Sequence, residues 1–187
     1  MKYLISIILF AFVFVSCENE EFTPKPRGYF RISFPKKTYS KFDKNYPFSF
    51  DISSQSLMYE VNRDSAWVNI YYPYYRATIY ITYKNVNGDI QPLMEQSRKY
   101  AYKHAVKADA INEKLWLNDE KKVYGITYDI KGNAASPINF YLTDSSKHFL
   151  SGALYFATKP NKDSLAPMVS YIKEDIVKLI ESLEWKR

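Results

Sequence analysis

The run Thr78-Ile79-Tyr80-Ile81-Thr82-Tyr83 alternates without a break, and the same period of two recurs along much of the chain. Alternation sends successive side chains to opposite faces of a pleated strand, so the segment must be buried by a second layer. Comparable segments precede it at Gly28 to Phe34, Phe48 to Ile52, Leu57 to Val61 and Trp67 to Tyr72. Others follow at Lys114 to Leu117, Lys122 to Ile130, Ile138 to Thr143 and His148 to Ala157. Asp119-Glu120, Gly132-Asn133 and Asp144-Ser145-Ser146 separate the later ones at hairpin spacing, which predicts antiparallel pairing.

Two stretches change period. Asp89 can cap a helix over about Ile90 to Ala110, with Pro92 in its first turn and Met94, Ser97, Ala101, Ala105 and Ala108 on one face. Those residues are mostly small, so the helix can approach a sheet closely. The second helix is predicted over about Leu165 to Leu183, where Met168, Ile172, Ile176, Leu179 and Leu183 recur at spacings of three and four. Ser164 is its expected cap, Pro167 its first-turn proline, Glu174 and Lys178 an i,i+4 pair, and Trp185 is expected to tuck beneath its end. Strands, a helix, more strands and a terminal helix predict one α+β domain with a largely antiparallel sheet and two main helices packed on it. The element order is similar to that of the small α/β/α domains of the PsbP type. With 187 residues, 47% hydrophobic and 18% aromatic, the chain has ample material for a single core.

The amino terminus sets the compartment. Met1-Lys2 is a short basic start, and Tyr3 to Val15 is an apolar run that stops at Ser16-Cys17. The run is shorter than the roughly 20 residues of a membrane span, and polar residues follow at once. Residues 1–16 therefore read as a signal peptide. Phe14-Val15-Ser16-Cys17 resembles a bacterial lipobox, with Phe14 in place of the more usual Leu. Cys17, the one cysteine in the chain, is the expected lipidation site and so the membrane anchor. Residues 17–26, with Pro24 and Pro26, read as lipidated cysteine and extended tether, reaching roughly 30 Å at about 3.3 Å per residue. Residues 27–187 are the expected domain. Glu18, Glu20 and Glu21 resemble surface-export signals that follow a lipidated cysteine, and read equally well as a solvated spacer.

Five glycines and one cysteine exclude a disulfide scaffold, a cysteine zinc site, an iron–sulfur cluster and a collagen-like repeat. Only His104 and His148 offer imidazoles, and neither has a second ligand at metal-binding spacing. No nucleophile elbow, zinc-protease pair or phosphate loop occurs, so no catalytic residue, metal or cofactor is expected. Lys36, Lys37, Lys41 and Lys44 interleave with Tyr39, Phe42 and Tyr46 in a stretch that reads as a loop. For an exported chain nucleic acid is excluded, leaving anionic headgroups, phosphate-bearing glycolipids or an acidic protein surface as counterparts, or a merely solubilising role. Tyr71-Tyr72-Pro73-Tyr74-Tyr75-Arg76 can form an aromatic platform for a glycan or a partner chain, or supply core rings.

Pro24-Lys25-Pro26-Arg27-Gly28-Tyr29-Phe30-Arg31-Ile32-Ser33-Phe34-Pro35, directly after the leader, resembles the opening of the GldD gliding motility lipoproteins of Bacteroidota. Tyr46-Pro47-Phe48-Ser49-Phe50 and Ile180-Glu181-Ser182-Leu183-Glu184-Trp185 support the likeness along the whole chain. The resemblance implies a non-catalytic envelope lipoprotein needed for gliding and the associated type 9 secretion system. It acts by assembly or stabilisation of partners, is anchored in the outer membrane, and neighbours the membrane protein GldE and other gliding lipoproteins. Expected partner-binding residues are Arg27, Tyr29, Arg31, Tyr39, Tyr74, Tyr75 and Arg76. A glycan-binding or glycan-processing surface lipoprotein is the alternative, and the competing reading of Arg27 and Arg31 is local pairing with carboxylates.

Overall fold

A computed structural model describes residues 32–103 and 108–186. The leader, Cys17, the tether, Arg27, Tyr29, Arg31 and His104 lie outside the described residues. In chain order the elements are β1 (Tyr39–Phe42), β2 (Phe48–Ser53), β3 (Leu57–Asn62), β4 (Trp67–Tyr72), β5 (Ala77–Asn85), α1 (Gln91–Lys103), β6 (Ala108–Asn118), β7 (Val123–Gly132), β8 (Ile138–Thr143), β9 (His148–Phe156), α2 (Lys162–Ser182) and β10 (Glu184–Trp185). The class is α+β, as expected from the alternation. The described strands form two antiparallel sheets rather than one: β1-β2-β10 and the seven-stranded β3-β4-β5-β9-β8-β7-β6.

The large sheet is covered unequally. One face carries Val68, Ile70, Ile79, Ile81, Phe140, Leu150 and their neighbours, and closes a core with Phe48 and Phe50 of the small sheet and with Ile172, Ile176 and Leu179 of α2. On the opposite face a smaller cluster centred on Ala101 of α1 packs against Tyr128, Tyr141 and Phe149. Ala101 is fully buried because its single methyl lets α1 lie close to the strands. Along β4 the residues alternate as in a half-covered antiparallel sheet, with Val68, Ile70 and Tyr72 buried and Trp67, Asn69 and Tyr71 between them more open, whereas β3 at the sheet's edge is exposed along most of its length.

Several element boundaries differ from the expectation, each for a local reason. The first helix was expected to reach Ala110, but Ala108 to Ala110 already belong to β6, paired with β7. Small residues at helical spacing cannot by themselves say whether a hydrogen-bonded neighbour strand will claim them. Asp89 does serve the helix start, its carboxylate accepting from the Gln91 amide at 2.9 Å. The cap of α2 is Asn161, whose side chain accepts from the Ser164 amide, so the helix starts before Ser164 and Pro167 sits a turn deeper than expected. Glu174 and Lys178 do not pair with each other: Lys178 reaches Asp51 at 3.2 Å and Glu174 approaches Lys37 at 3.7 Å.

The expected strand over Gly28 to Phe34 is not continued in its described part, where Ile32 to Phe34 run without strand pairing. The Phe34 ring instead stacks on Tyr171 with centroids 4.6 Å apart and also meets Tyr75 at 5.8 Å. The lysine-rich stretch expected to be a loop contains β1, which pairs with β2 from Tyr39↔Ser53 to Phe42↔Phe50. Trp185 does tuck in: it pairs with Phe48 through β10, and its indole donates to the Lys122 carbonyl at 3.0 Å.

Gly125 is required by close approach. A Cβ there would strike the Tyr141 carbonyl oxygen across the β7–β8 ladder, a backbone atom that cannot turn aside.

Candidate interaction surfaces

The N-terminal arm is held to α2 through a buried charge. The Asp175 side chain is 2% exposed, and Lys37 Nζ lies 2.5 Å from its Oδ1. The Tyr39 hydroxyl donates to the same oxygen at 3.0 Å. Lys37 also donates to the Tyr171 carbonyl at 2.5 Å and sits 3.8 Å from the centroid of that ring. Tyr171 returns a hydrogen bond from its hydroxyl to the Pro35 carbonyl at 3.0 Å. Burial, reinforced by the Asp175 carboxylate, raises the Tyr39 hydroxyl above its ordinary value and does the same to Tyr72. A neutral tyrosine is what this carboxylate needs as donor.

The expected partner-binding residues divide accordingly. Tyr39 belongs to the Asp175 cluster and is only partly exposed. Tyr75 is 6% exposed, packed among Phe34, Tyr72 and Tyr171, and its hydroxyl is pushed up to about 12 by burial and the neighbouring Tyr171. Of the two uses open to the tyrosines of the Tyr71–Arg76 run, core packing takes half: Tyr72 and Tyr75 point into the core, while Tyr71 faces the other side of the sheet. Tyr74, 78% exposed, and Arg76 remain at the β4–β5 tip, where Arg76 takes a left-handed φ of 48° and its carbonyl accepts from Ala157. Alternation reads correctly up to Tyr72; the turn then sets each ring's direction independently of the period.

The lysines of the arm are mostly spent. Lys41 pairs with Glu184 at 2.9 Å and Lys44 with Glu60 at 3.1 Å, while Phe42 and Tyr46 are buried. Compensated charges of this kind offer little to an anionic counterpart; within the stretch β1 carries Lys41 alone, and Lys37 and Lys44 are paired on either side of it.

His148 is half-buried between two rings. It stacks on Trp185 at 5.1 Å and 6°, and its Nδ1 lies 2.7 Å from the Tyr83 hydroxyl. Burial lowers its pKa, so the imidazole is neutral at physiological pH. That environment locks the ring as a packing element at the end of β9. Among the described residues no three His, Cys, Asp or Glu side chains gather as a metal site would require.

Two surfaces that the residue pattern did not single out stand on the α1 side of the large sheet. On the outermost strand, β6, Leu115 and Leu117 are 61% and 70% exposed. They sit two residues apart and share one face. An outer strand bearing apolar side chains is a ready template for a second chain. Further in, Tyr59, Tyr80 and Tyr100 are each about half exposed, and Tyr80 meets Tyr155 edge-on at 5.7 Å. Between α1 and the sheet, next to Tyr80, is a cavity of about 200 Å³. Strand alternation could have located these residues on one face; it could not say that α1 leaves part of that face open.

Among the described residues no helix is long and apolar enough to cross a membrane. Among curated proteins none matches the chain. The family model described as gliding motility lipoprotein GldD matches residues 19–185, nearly the whole length, and the chain belongs to that family of gliding motility lipoproteins.

Proposed function

We propose that this lipoprotein acts without catalysis, as an assembly or stabilising component of the gliding apparatus and of the associated type 9 secretion machinery. It is anchored through Cys17 in the outer membrane and docks envelope proteins such as GldE and other gliding lipoproteins. The observation that carries the docking role is the pair Leu115 and Leu117, 61% and 70% exposed on the outermost strand of a long antiparallel sheet. Solvent-exposed leucines on an unpaired edge are an aggregation hazard unless a partner covers them. The Asp175 cluster supports the same reading, because it fastens the arm that follows the tether rigidly to the C-terminal helix, so that a load on a docked partner is carried into the fold.

The test is a photo-reactive residue placed at Leu117, and separately at Tyr29 and Arg31, in intact cells, followed by mass spectrometry of the adducts. Adducts with gliding or secretion envelope proteins are expected from at least one position. No protein adduct from any of the three would refute docking, and recovery of the unmodified Cys17 thiol from purified native material would refute the anchor. Fractionation that places the protein in the inner membrane would refute the outer-membrane assignment.

A further inference from the structure

The register of the large sheet aligns Tyr59, Asn69, Tyr80, Ala153, Asn139 and Tyr128 across six successive strands on the α1 side. Rings and amides thus recur along one line, one strand spacing of about 4.8 Å from each to the next. Over β3, β4 and β5 the line is open to solvent, with Tyr59 and Tyr80 both about half exposed. Beyond Tyr80 it passes beneath α1 and enters the cavity of about 200 Å³. The cavity is bounded by the rings of Tyr80, Tyr100 and Tyr128 and by the polar side chains of Thr82, Ser97 and Asn139. Asn139 is 9% exposed, and its Nδ2 is a buried donor with no hydrogen-bond partner. A buried donor left without an acceptor costs stability, and a molecule seated in the cavity that Asn139 lines can supply one.

We infer that this groove is a binding site for a neutral saccharide, with one sugar ring seated in the cavity and the rest of the chain laid along the open tyrosine line. The lining sets the ligand class. None of the residues around the cavity carries a charge at neutral pH, which disfavours phosphates, nucleotides and anionic headgroups. Its hydroxyl and amide groups would be left unpaired by an acyl chain, which disfavours lipid tails. A sugar satisfies both requirements: its C–H face packs on an aromatic ring, and its hydroxyl or acetamido oxygens accept from an amide. The volume is below the about 300–1,000 Å³ of sites for drug-sized molecules, which matches a single ring rather than a whole oligosaccharide.

The test uses the full lipidated protein in phosphocholine micelles, which carry no sugar headgroup. Cellotetraose and triacetylchitotriose serve as neutral probes and glucose 6-phosphate as the anionic control, with saturation-transfer NMR and titration calorimetry as readouts. At least one neutral probe is expected to bind, with saturation strongest on one terminal ring. Tyr80→Ala and Tyr100→Ala should each weaken it about tenfold, the scale expected for removing an aromatic anchor. Both side chains are about half exposed, so these variants spare the core. Asn139→Leu supplies a readout that a structural role would not give: binding should fall while the thermal midpoint holds or rises, because an unmade donor has been removed. No transfer to either neutral probe would overturn the assignment. So would undiminished binding in both tyrosine variants, or tighter binding of glucose 6-phosphate.

Discussion

Replacing Lys37 by Met keeps most of the apolar stem but removes the ammonium that lies 2.5 Å from Asp175 Oδ1. The carboxylate is 2% exposed and the Lys37 side chain 16%, so the pair is shielded from water and little of its interaction is screened. Exposed pairs contribute only about 0–1 kcal/mol. Stripping one partner from a buried pair costs about 3–5 kcal/mol, because the remaining charge is left uncompensated. The Tyr39 hydroxyl still donates to Asp175, which places the loss near the lower bound, about 3 kcal/mol. For a domain of this size each kcal/mol moves the thermal midpoint by about 2–4 °C, so a fall of about 6–12 °C is expected. The assay is thermal and urea unfolding of the purified lipoprotein, followed by circular dichroism. The double variant Lys37→Met with Asp175→Leu closes the cycle and should recover most of the loss, since it removes the stranded charge as well. A single-variant loss below about 1 kcal/mol would show that the pair behaves as a surface contact. A double variant worse than Lys37→Met alone would refute the stranded-charge argument.

Other outcomes follow from the same geometry. Gly125→Ala drives a methyl into the Tyr141 carbonyl oxygen, and a loss of about 3 kcal/mol or failure to fold is expected in urea unfolding, at the upper end of overpacking costs because backbone must move. Partial burial opposes ionisation of Asp144, yet the amides of His148, Lys147 and Ser146 and the Ser146 hydroxyl hold its pKa down to about 2. A depressed carboxylate stabilises the fold above its unfolded pKa and loses that contribution as pH falls through the folded value. Because the carboxylate is largely open to water, screening reduces its worth, and Asp144→Ala should cost about 1 kcal/mol at pH 7, with the difference from the parent shrinking between about pH 4 and pH 2 in unfolding titrations. Leu115→Glu with Leu117→Glu changes two exposed side chains, so stability should stay within about 0.5 kcal/mol in thermal unfolding while adducts formed from β6 disappear. A large stability loss would mean that the leucines serve the fold rather than a partner.

Much of the fold was legible because burial imposes a period. Ile79 and Ile81 face the α2 core while Tyr80 and Thr82 face α1, as the alternation requires, and Ile172, Ile176 and Leu179 mark the buried stripe of α2 at its three-and-four spacing. Elements that rest on a remote partner were not legible. β1 is only four residues long, in a segment flanked by lysines, and it is a strand because β2 offers its edge. Lys37 reads like any solvated lysine until α2 brings Asp175 beside it, at a separation of 138 residues. The candidate surfaces follow the same division: Tyr74 is an exposed turn residue on either view, whereas the exposure of Leu115 and Tyr80 depends on what packs against that face of the sheet.

The chain alone made the class of fold, the lipoprotein character and the family likeness legible, since each is written in contiguous residues: a periodic run, an apolar stretch from Tyr3 to Val15 just before Ser16-Cys17, a motif from Pro24 to Pro35. Tertiary structure decided which charges are buried and paired, which tyrosines are core and which are surface, and where one sheet face stays open. Those properties depend on what lies within a few ångströms in space, and strand order and helix docking bring together residues that no local pattern connects.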